Sequence, residues 1–331
     1  MSLDASKERL VEIIRSFPSI EIAVVGDVIL DSYLSCHAAG IANEAPVPLL
    51  ELLNQTDAPG GAANVAANLA AVGVNTRLVG PVGNDAEAEL LKRLLDERHV
   101  RFHPLVVPRP TPHKTRVAAG QHYYLRLDEE EDTPLTELEG TALKQLLGPA
   151  LEGAAALLVS DYDKGTLTAS SARHIEALAQ KSALPVFADL KPQNVQLFHR
   201  LSLITPNLAE ARDLAARLNP HSPPADAMKI ASNLSARLSC NVVLKMSEQG
   251  LAAVDKGGEQ TRLQALCRRP LNVAGAGDTV VSVLAAALAA GARLSEAAFL
   301  ANLAASVAVR HEVTHAVSAD ELMCAVEGSA V

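Results

Sequence analysis

Short apolar runs alternate with stretches of helical period along most of the chain. The runs at Ile22–Val25, Thr76–Val79, Ala156–Ser160, Val186–Ala188, Leu203–Ile204 and Val242–Lys245 read as strands covered on both faces. Apolar positions recur every three or four residues over Ala62–Val72, Ala86–Arg98, Glu137–Leu147, Ser170–Lys181, Leu208–Leu218, Ala225–Leu238, Gly277–Ala290 and Ser295–Val309. That period predicts helices with one buried face. Strands alternating with helices predict an α/β fold with a mainly parallel sheet flanked by helices. Pro104–Pro112 and Pro220–Pro224 read as loops, and no internal repeat or low-complexity tract interrupts the pattern.

Two stretches break this rhythm. Val47–Leu53 reads as a strand, and His113–Asp128 alternates with no helix inside it. Together they predict a small β-sheet lid, built from segments at about 32–58 and 103–130, on a single domain spanning residues 1–331.

Composition narrows the function classes. The 331 residues are 49% apolar but only 3% aromatic, with no Trp and a net charge of −9. A nucleic-acid partner, which needs basic grooves and stacking rings, is not expected. An anionic ligand would have to be held by local basic groups or helix N-termini, against the overall field. Cys36, Cys240, Cys267 and Cys324 form no CxxC pair, so neither a zinc framework nor disulfides are expected. Met1–Leu10 carries Asp4 and Glu8 and lacks the apolar core of a signal peptide. The most apolar stretch, Val280–Ala292, is about 13 residues, short of the ~20 of a membrane span. A soluble, cytoplasmic protein with no membrane contact is the expectation.

In an open parallel sheet, ligands bind beyond the carboxyl ends of the strands. Acidic, polar and Gly-rich residues recur there: Gly26-Asp27, Ser160-Asp161, Asp189, Asn207 and Met246-Ser247. The segment Asn272–Thr279 places Gly275, Ala276 and Gly277 before an apolar helical run, with Asp278 in its first turn. Such a helix start binds phosphate through free N–H groups and the helix dipole, and a carboxylate beside it can take a hydroxyl proton. An ordinary Gly-rich turn with an N-capping Asp fits the same letters. Gly60 and Gly61 permit close backbone approach at another helix entrance, where Asn64 offers a donor and an acceptor to sugar hydroxyls. Close helix packing is the competing account, and it suffices for the alanines between them.

The run Gly60–Asn64 and the Gly-Ala-Gly-Asp of Gly275–Asp278, about 200 residues apart and in this order, resemble the two signatures of the ribokinase-like (PfkB) sugar kinases. The resemblance covers almost the whole chain. It implies a Rossmann-like ribokinase fold with a β-lid, ATP and Mg2+ as cofactors, and Asp278 as catalytic base. Within the family, Val25–Asp31, Asn43–Pro48, Ser160–Gly165, Thr205–Glu210 and Ser247–Gly250 resemble kinases of D-glycero-β-D-manno-heptose 7-phosphate. Those enzymes make the 1,7-bisphosphate used for ADP-heptose, and carry the kinase unit alone or fused to a nucleotidyltransferase; a chain ending at Val331 is expected to hold the kinase alone. The resemblance implies that Asp27, Asp31, Gly60, Gly61 and Asn64 contact sugar, and that Arg116, Lys164 and Lys191 are the cations for its phosphate. Taken singly, each of those cations reads equally well as a solvated charge. Asn207, Lys245, Ser247, Gly250, Gly275, Gly277 and Asn302 would line the nucleotide. Asn207 and Glu210 would stand near the metal, although a helix-start Asn with a capping-box Glu looks the same in sequence. Paired lid sheets imply a homodimer.

The chain also departs from the family. Asn272 and Ala274 replace a usual carboxylate and hydroxyl, which leaves a monovalent-cation site without its acid. Lys245 stands where a Thr is usual, Leu190 and Pro192 replace a Pro and a Gly, and Arg310–His315 lacks an expected glycine. These changes leave open a different phosphosugar or nucleoside as substrate, or a divergent homologue that binds without turnover.

Overall fold

The computed structural model describes residues 6–120, 122–218, 226–267, 269–311 and 313–329; the expected loop Pro220–Pro224 and the first residue of the expected helix Ala225–Leu238 lie outside them. Helix α1 (Lys7–Ser16) leads into the first core strand β1 (Glu21–Gly26). A long hairpin follows, β2 (Val28–Ile41) and β3 (Pro48–Gly61). The chain returns through α2 (Ala62–Ala71), β4 (Asn75–Val82), α3 (Ala86–Asp96) and β5 (Val100–Val106). Strands β6 (His113–Ala119) and β7 (His122–Glu129) then join the hairpin. Next come α4 (Glu137–Ala150), β8 (Ala156–Ser160), α5 (Ala169–Lys181), β9 (Val186–Asp189) and β10 (Leu203–Ile204). The C-terminal third holds α6 (Leu208–Leu218), α7 (Ala227–Leu238), β11 (Asn241–Lys245), β12 (Leu251–Val254) and β13 (Gln260–Leu263). It closes with α8 (Ala276–Ala289), α9 (Leu294–Ala308) and α10 (Ala319–Gly328).

Nine of these strands form one sheet in the order β13-β12-β11-β10-β9-β8-β1-β4-β5. From β11 to β5 every pairing is parallel, and β12 and β13 extend it antiparallel. Side chains alternate across it because successive Cβ atoms point to opposite faces. Ile22, Val24, Ala156 and Leu158 pack into the core under α2, α8 and α9. Their neighbours Ala23, Val25, Leu157 and Val159 pack into a second core under α4, α5 and α7. Burial on both sides explains the uninterrupted apolar runs, and each fully buried Leu or Ile contributes about 1.5–3 kcal/mol relative to exposure. Strand order reverses between β1 and β8, so a crevice opens there beyond the carboxyl ends of the strands.

The expected second sheet is present, ordered β3-β2-β6-β7, and its limits differ from expectation. It begins at Val28 and runs to Gly61, because Asp31 and Tyr33 alternate with Leu30 and Leu34 and so pass as loop when read for apolar runs. The stretch 103–106 belongs to β5 of the large sheet, where Pro104 pairs with Gly80. A sheet edge tolerates that proline, since its missing N–H faces no further strand. Register sorts the small sheet by chemistry: Tyr33 lies opposite Arg116, and Arg116 opposite Arg126, while Leu34 lies opposite Val117 and Val117 opposite Leu125. One face is therefore polar and the other apolar. Strands β12 and β13 and helices α1 and α10 were not among the sequence expectations. Among the described residues no helix is long and apolar enough to cross a membrane.

Candidate active site

Helix α8 starts from Gly275, which has φ +77°. A Cβ there would lie 2.7 Å from Thr314 Cγ2 and 3.0 Å from Asn64 Nδ2, so both backbone sign and space call for glycine. Asp278 follows in the first turn and is only 8% exposed. Its two carboxylate oxygens are held separately. The Tyr162 hydroxyl donates to Oδ1 at 2.5 Å, and Asn64 Nδ2 donates to Oδ2 at 2.6 Å. Asn68 Nδ2 donates to Asn64 Oδ1 at 3.1 Å, and the Thr279 hydroxyl donates to Asn68 Oδ1 at 2.9 Å. This relay binds α2 to α8 and fixes the amide of Asn64.

Burial pushes the Asp278 carboxyl up to about 6; the Tyr162 and Asn64 hydrogen bonds oppose that rise, Asp189 adds to it and Lys245 counters. Burial, and then the Asp278 charge, hold the Tyr162 phenol well above its ordinary value, so it stays a donor. The carboxylate is thus ionised at neutral pH with a proton affinity above that of an exposed Asp. Gly277 and Asp278 contribute first-turn amides that have no carbonyl one turn back within the helix. Lys245 Nζ lies 3.5 Å from where a Cβ of Gly277 would be, and its ammonium bonds both oxygens of Asp189 at 2.8 and 2.7 Å. Lysine at this position therefore adds a cation beside the helix start without disordering the turn after β11.

A cavity of about 860 Å³ opens in front of this constellation, at the ends of β9, β10 and β11. It gathers Ala276, Gly277, Asp278, Lys191, Asn207, Glu210, Lys245, Ser247, Gly250 and Asn302 from the sequence-derived set. Gly250 has φ +84° and backbone of the 263–265 segment against it, which fixes the turn between β11 and β12. Asn302 donates to the Gln264 carbonyl at 2.8 Å and ties that segment to α9. Asn207 and Glu210 form a reciprocal capping box at the start of α6, with bonds of 2.9 Å in both directions. The other Glu210 oxygen accepts from Lys191 Nζ at 2.8 Å.

The remaining residues lie on the small-sheet side of Asp278. Asp31 accepts from Arg116 at 2.6 Å, and the Arg116 guanidinium lies 5.3 Å over the Tyr33 ring. Asp31 sits within β2, not just past the end of the first strand. Gly60 gives it room, since a Cβ there would come within 2.5 Å of Asp31 Oδ2. Gly61, with φ +56°, turns the chain from β3 into α2 and would meet the Asp27 carbonyl if substituted. Lys164 Nζ bonds Glu130 and Asp132 at 2.7 and 2.9 Å. Asp27 is 1% exposed and accepts the backbone amides of Tyr162, Lys164 and Thr166, so it anchors the loop that carries Tyr162. Asn64 donates to Asp278 and accepts from Asn68, an arrangement that orients the carboxylate.

Sequence reasoning assigned no role to Tyr162, Asp161, Asp189 or Thr314. Asp161 accepts from the amides of Asp163 and Lys191 and from Asn194, and burial raises its carboxyl to about 6 against those bonds. The density of acids at strand ends pointed to Asp161 and Asp189. Tyr162 lay within the matching segment Ser160–Gly165 but took no role from it, since its partner is 116 residues away.

With this geometry in view, comparison with known proteins places the chain. The model of a family described as pfkB family carbohydrate kinase matches residues 19–321. The bifunctional protein HldE of Methylobacillus flagellatus is 39% identical over 295 residues, 87% of this chain and 59% of that protein. HldE of Nitrosococcus oceani is 37% identical over 317 residues, 95% and 66% of the two chains. The chain thus spans about three-fifths to two-thirds of these relatives. Among solved structures, phosphofructokinase-2 from Escherichia coli superposes with a TM-score of 0.77 at 22% identity, covering 93% of this chain and 98% of that one. A ribokinase from Arabidopsis thaliana, complexed with ribose and ATP, gives 0.70 at 18%, covering 94% and 99%. At such identities these two structures speak to the fold.

Proposed function

The chain belongs to the pfkB family of carbohydrate kinases, and from that premise we propose that it transfers the γ-phosphoryl group of ATP to the anomeric hydroxyl of D-glycero-β-D-manno-heptose 7-phosphate. The observation that carries the reading is Asp278, held by Tyr162 and Asn64 at the start of α8 and facing the large cavity. In this mechanism Asp278 takes the proton of the acceptor hydroxyl. The freed oxygen attacks the γ-phosphorus as the bond to the β-phosphate oxygen breaks and ADP leaves. The Gly277 and Asp278 amides and the Lys245 ammonium balance the charge that builds on the transferring group.

ATP lies along Ser247, Gly250 and Asn302 on this reading. Arg116, Lys164 and Lys191 hold the sugar's own phosphate, each exchanging a carboxylate partner for it. Mg2+ supplies charge neutralisation on the phosphates when bound. Asn207 and Glu210 offer it oxygen donors, with Asp189 on the same cavity wall. Because their oxygens already accept protein hydrogen bonds, they suit a hydrated ion held through water. Two chains pairing through the apolar faces of their small sheets, and a cytoplasmic setting, complete the proposal.

ADP release with ATP, Mg2+ and heptose 7-phosphate, read beside a panel of other sugar phosphates and nucleosides, tests the substrate; a faster acceptor elsewhere in the panel replaces the heptose. Asp278→Asn is expected to lower kcat by about 10³-fold or more while ATP still binds. An unchanged kcat in that variant removes Asp278 as the base.

A further inference from the structure

The departing segment 310–315 carries two histidines that the proposed chemistry does not use. His311 and His315 stack face to face, ring centroids 3.6 Å apart and planes 17° from parallel. His315 Nε2 lies 3.0 Å from Glu321 Oε1. One ligand-type atom from each of the three residues falls within 4.8 Å of the others, and all three side chains are half-buried. Glu321 is already oriented: the Ser318 amide and hydroxyl donate to its Oε2 at 2.8 and 2.9 Å, which leaves Oε1 turned to the imidazole.

We propose that His311, His315 and Glu321 form a site for a borderline divalent transition metal such as Zn2+, distinct from the nucleotide cavity. Two imidazoles and one carboxylate are a zinc-type donor set, with metal–ligand bonds of about 2.0–2.2 Å. Tetrahedral bonds of that length put ligand atoms about 3.4 Å apart, close to the His315–Glu321 spacing. The oxygen-seeking Mg2+ would not choose this set. The nitrogen lone pairs of the stacked rings lie in nearly parallel planes, so joint ligation of one ion requires the imidazoles to turn about their Cβ–Cγ bonds until the nitrogens converge. The held carboxylate supplies the outer support that metal ligands need.

The site's position gives it leverage. Thr314, next to His315, hydrogen-bonds the Tyr33 hydroxyl of the small sheet at 2.7 Å. The same Thr314 packs on Gly275 at the start of α8. Just upstream, the Val309 carbonyl accepts the amides of Leu271 and Asn272. A metal joining 311 and 315 to α10 therefore staples the strip of chain that supports both the catalytic loop and the small sheet. This inference does not depend on which sugar is phosphorylated.

The test uses the full chain, free of nucleotide. Zn2+ titration by calorimetry should give one saturable site per chain. Co2+ should bring up the visible absorption of a tetrahedral ion. His311→Ala and His315→Ala should each weaken binding by about tenfold or more and abolish the Co2+ band. Zn2+ should raise the melting temperature of the wild type and not of the variants. His311→Gln and His315→Gln keep bulk and polarity, and circular dichroism of all four variants checks that they fold. Binding retained in the histidine variants, or no saturable binding by the wild type, overturns the proposal.

Discussion

At the residue scale the chemistry turns on how one carboxylate is held. Asp278 is buried enough to be pushed up to about 6, yet two donors keep it ionised at neutral pH. Of these, Tyr162 is the one whose removal changes least else, because phenylalanine preserves the ring beneath Lys191. Losing the phenol hydrogen bond destabilises the charged form, so the Asp278 carboxyl should titrate about one unit higher in Tyr162→Phe. A base works only when deprotonated, so kcat/KM should fall on the acid side of that titration. The acid limb of its pH profile, near 6 in the wild type, should therefore move up by about one unit, with a larger loss at pH 6 than at pH 8. A limb that stays in place would show that the phenol does not tune the carboxylate.

At the scale of elements, Asp27 separates a structural from a ligand-binding reading. It sits where β1 gives way to β2, and its oxygens accept three backbone amides from the loop that carries Tyr162. Asp27→Ala strands those amides and should cost about 3 kcal/mol or more, lowering the melting temperature by several degrees. If Asp27 instead contacted the sugar, Asp27→Ala would raise KM for the acceptor and leave the melting temperature alone. The same residue shows where sequence legibility ends. Strands buried on both faces were readable because Ile22–Val25 and Ala156–Ser160 admit no polar residue until the crevice. Strands with a working polar face, such as β2 with Asp31 and Tyr33, lose that uniformity. Asp278 and its glycines were legible because helix starts write their chemistry in consecutive letters. Tyr162 was not, since only the folded loop brings it to Asp278. Nor does sequence tell a capping box from a metal shell at Asn207 and Glu210, which share spacing and donors.

At the scale of the whole molecule, the small sheet poses an unfinished burial problem. Its polar face carries Asp31, Tyr33 and Arg116 on the active-site side. On its apolar face Leu34, Leu50, Cys36, Val117 and Ala119 form only a small cluster, while Leu52, Leu125 and Leu127 remain 58%, 45% and 53% exposed. A contiguous apolar face of this kind marks an interaction surface. A second copy brings the same face, and two such sheets packed together satisfy both chains in a closed, two-fold contact. Light scattering on the purified protein should therefore report the mass of two chains. Leu125→Glu places a charge near the middle of the face and should shift the protein to one chain, with unfolding no longer dependent on concentration. Because the polar face of the same strands borders the catalytic side, the monomeric variant should also lose acceptor affinity, seen as a raised KM with Asp278 and its partners untouched. A wild-type protein that runs as one chain at micromolar concentration, or a Leu125→Glu variant that still runs as two, would rule out pairing through this sheet.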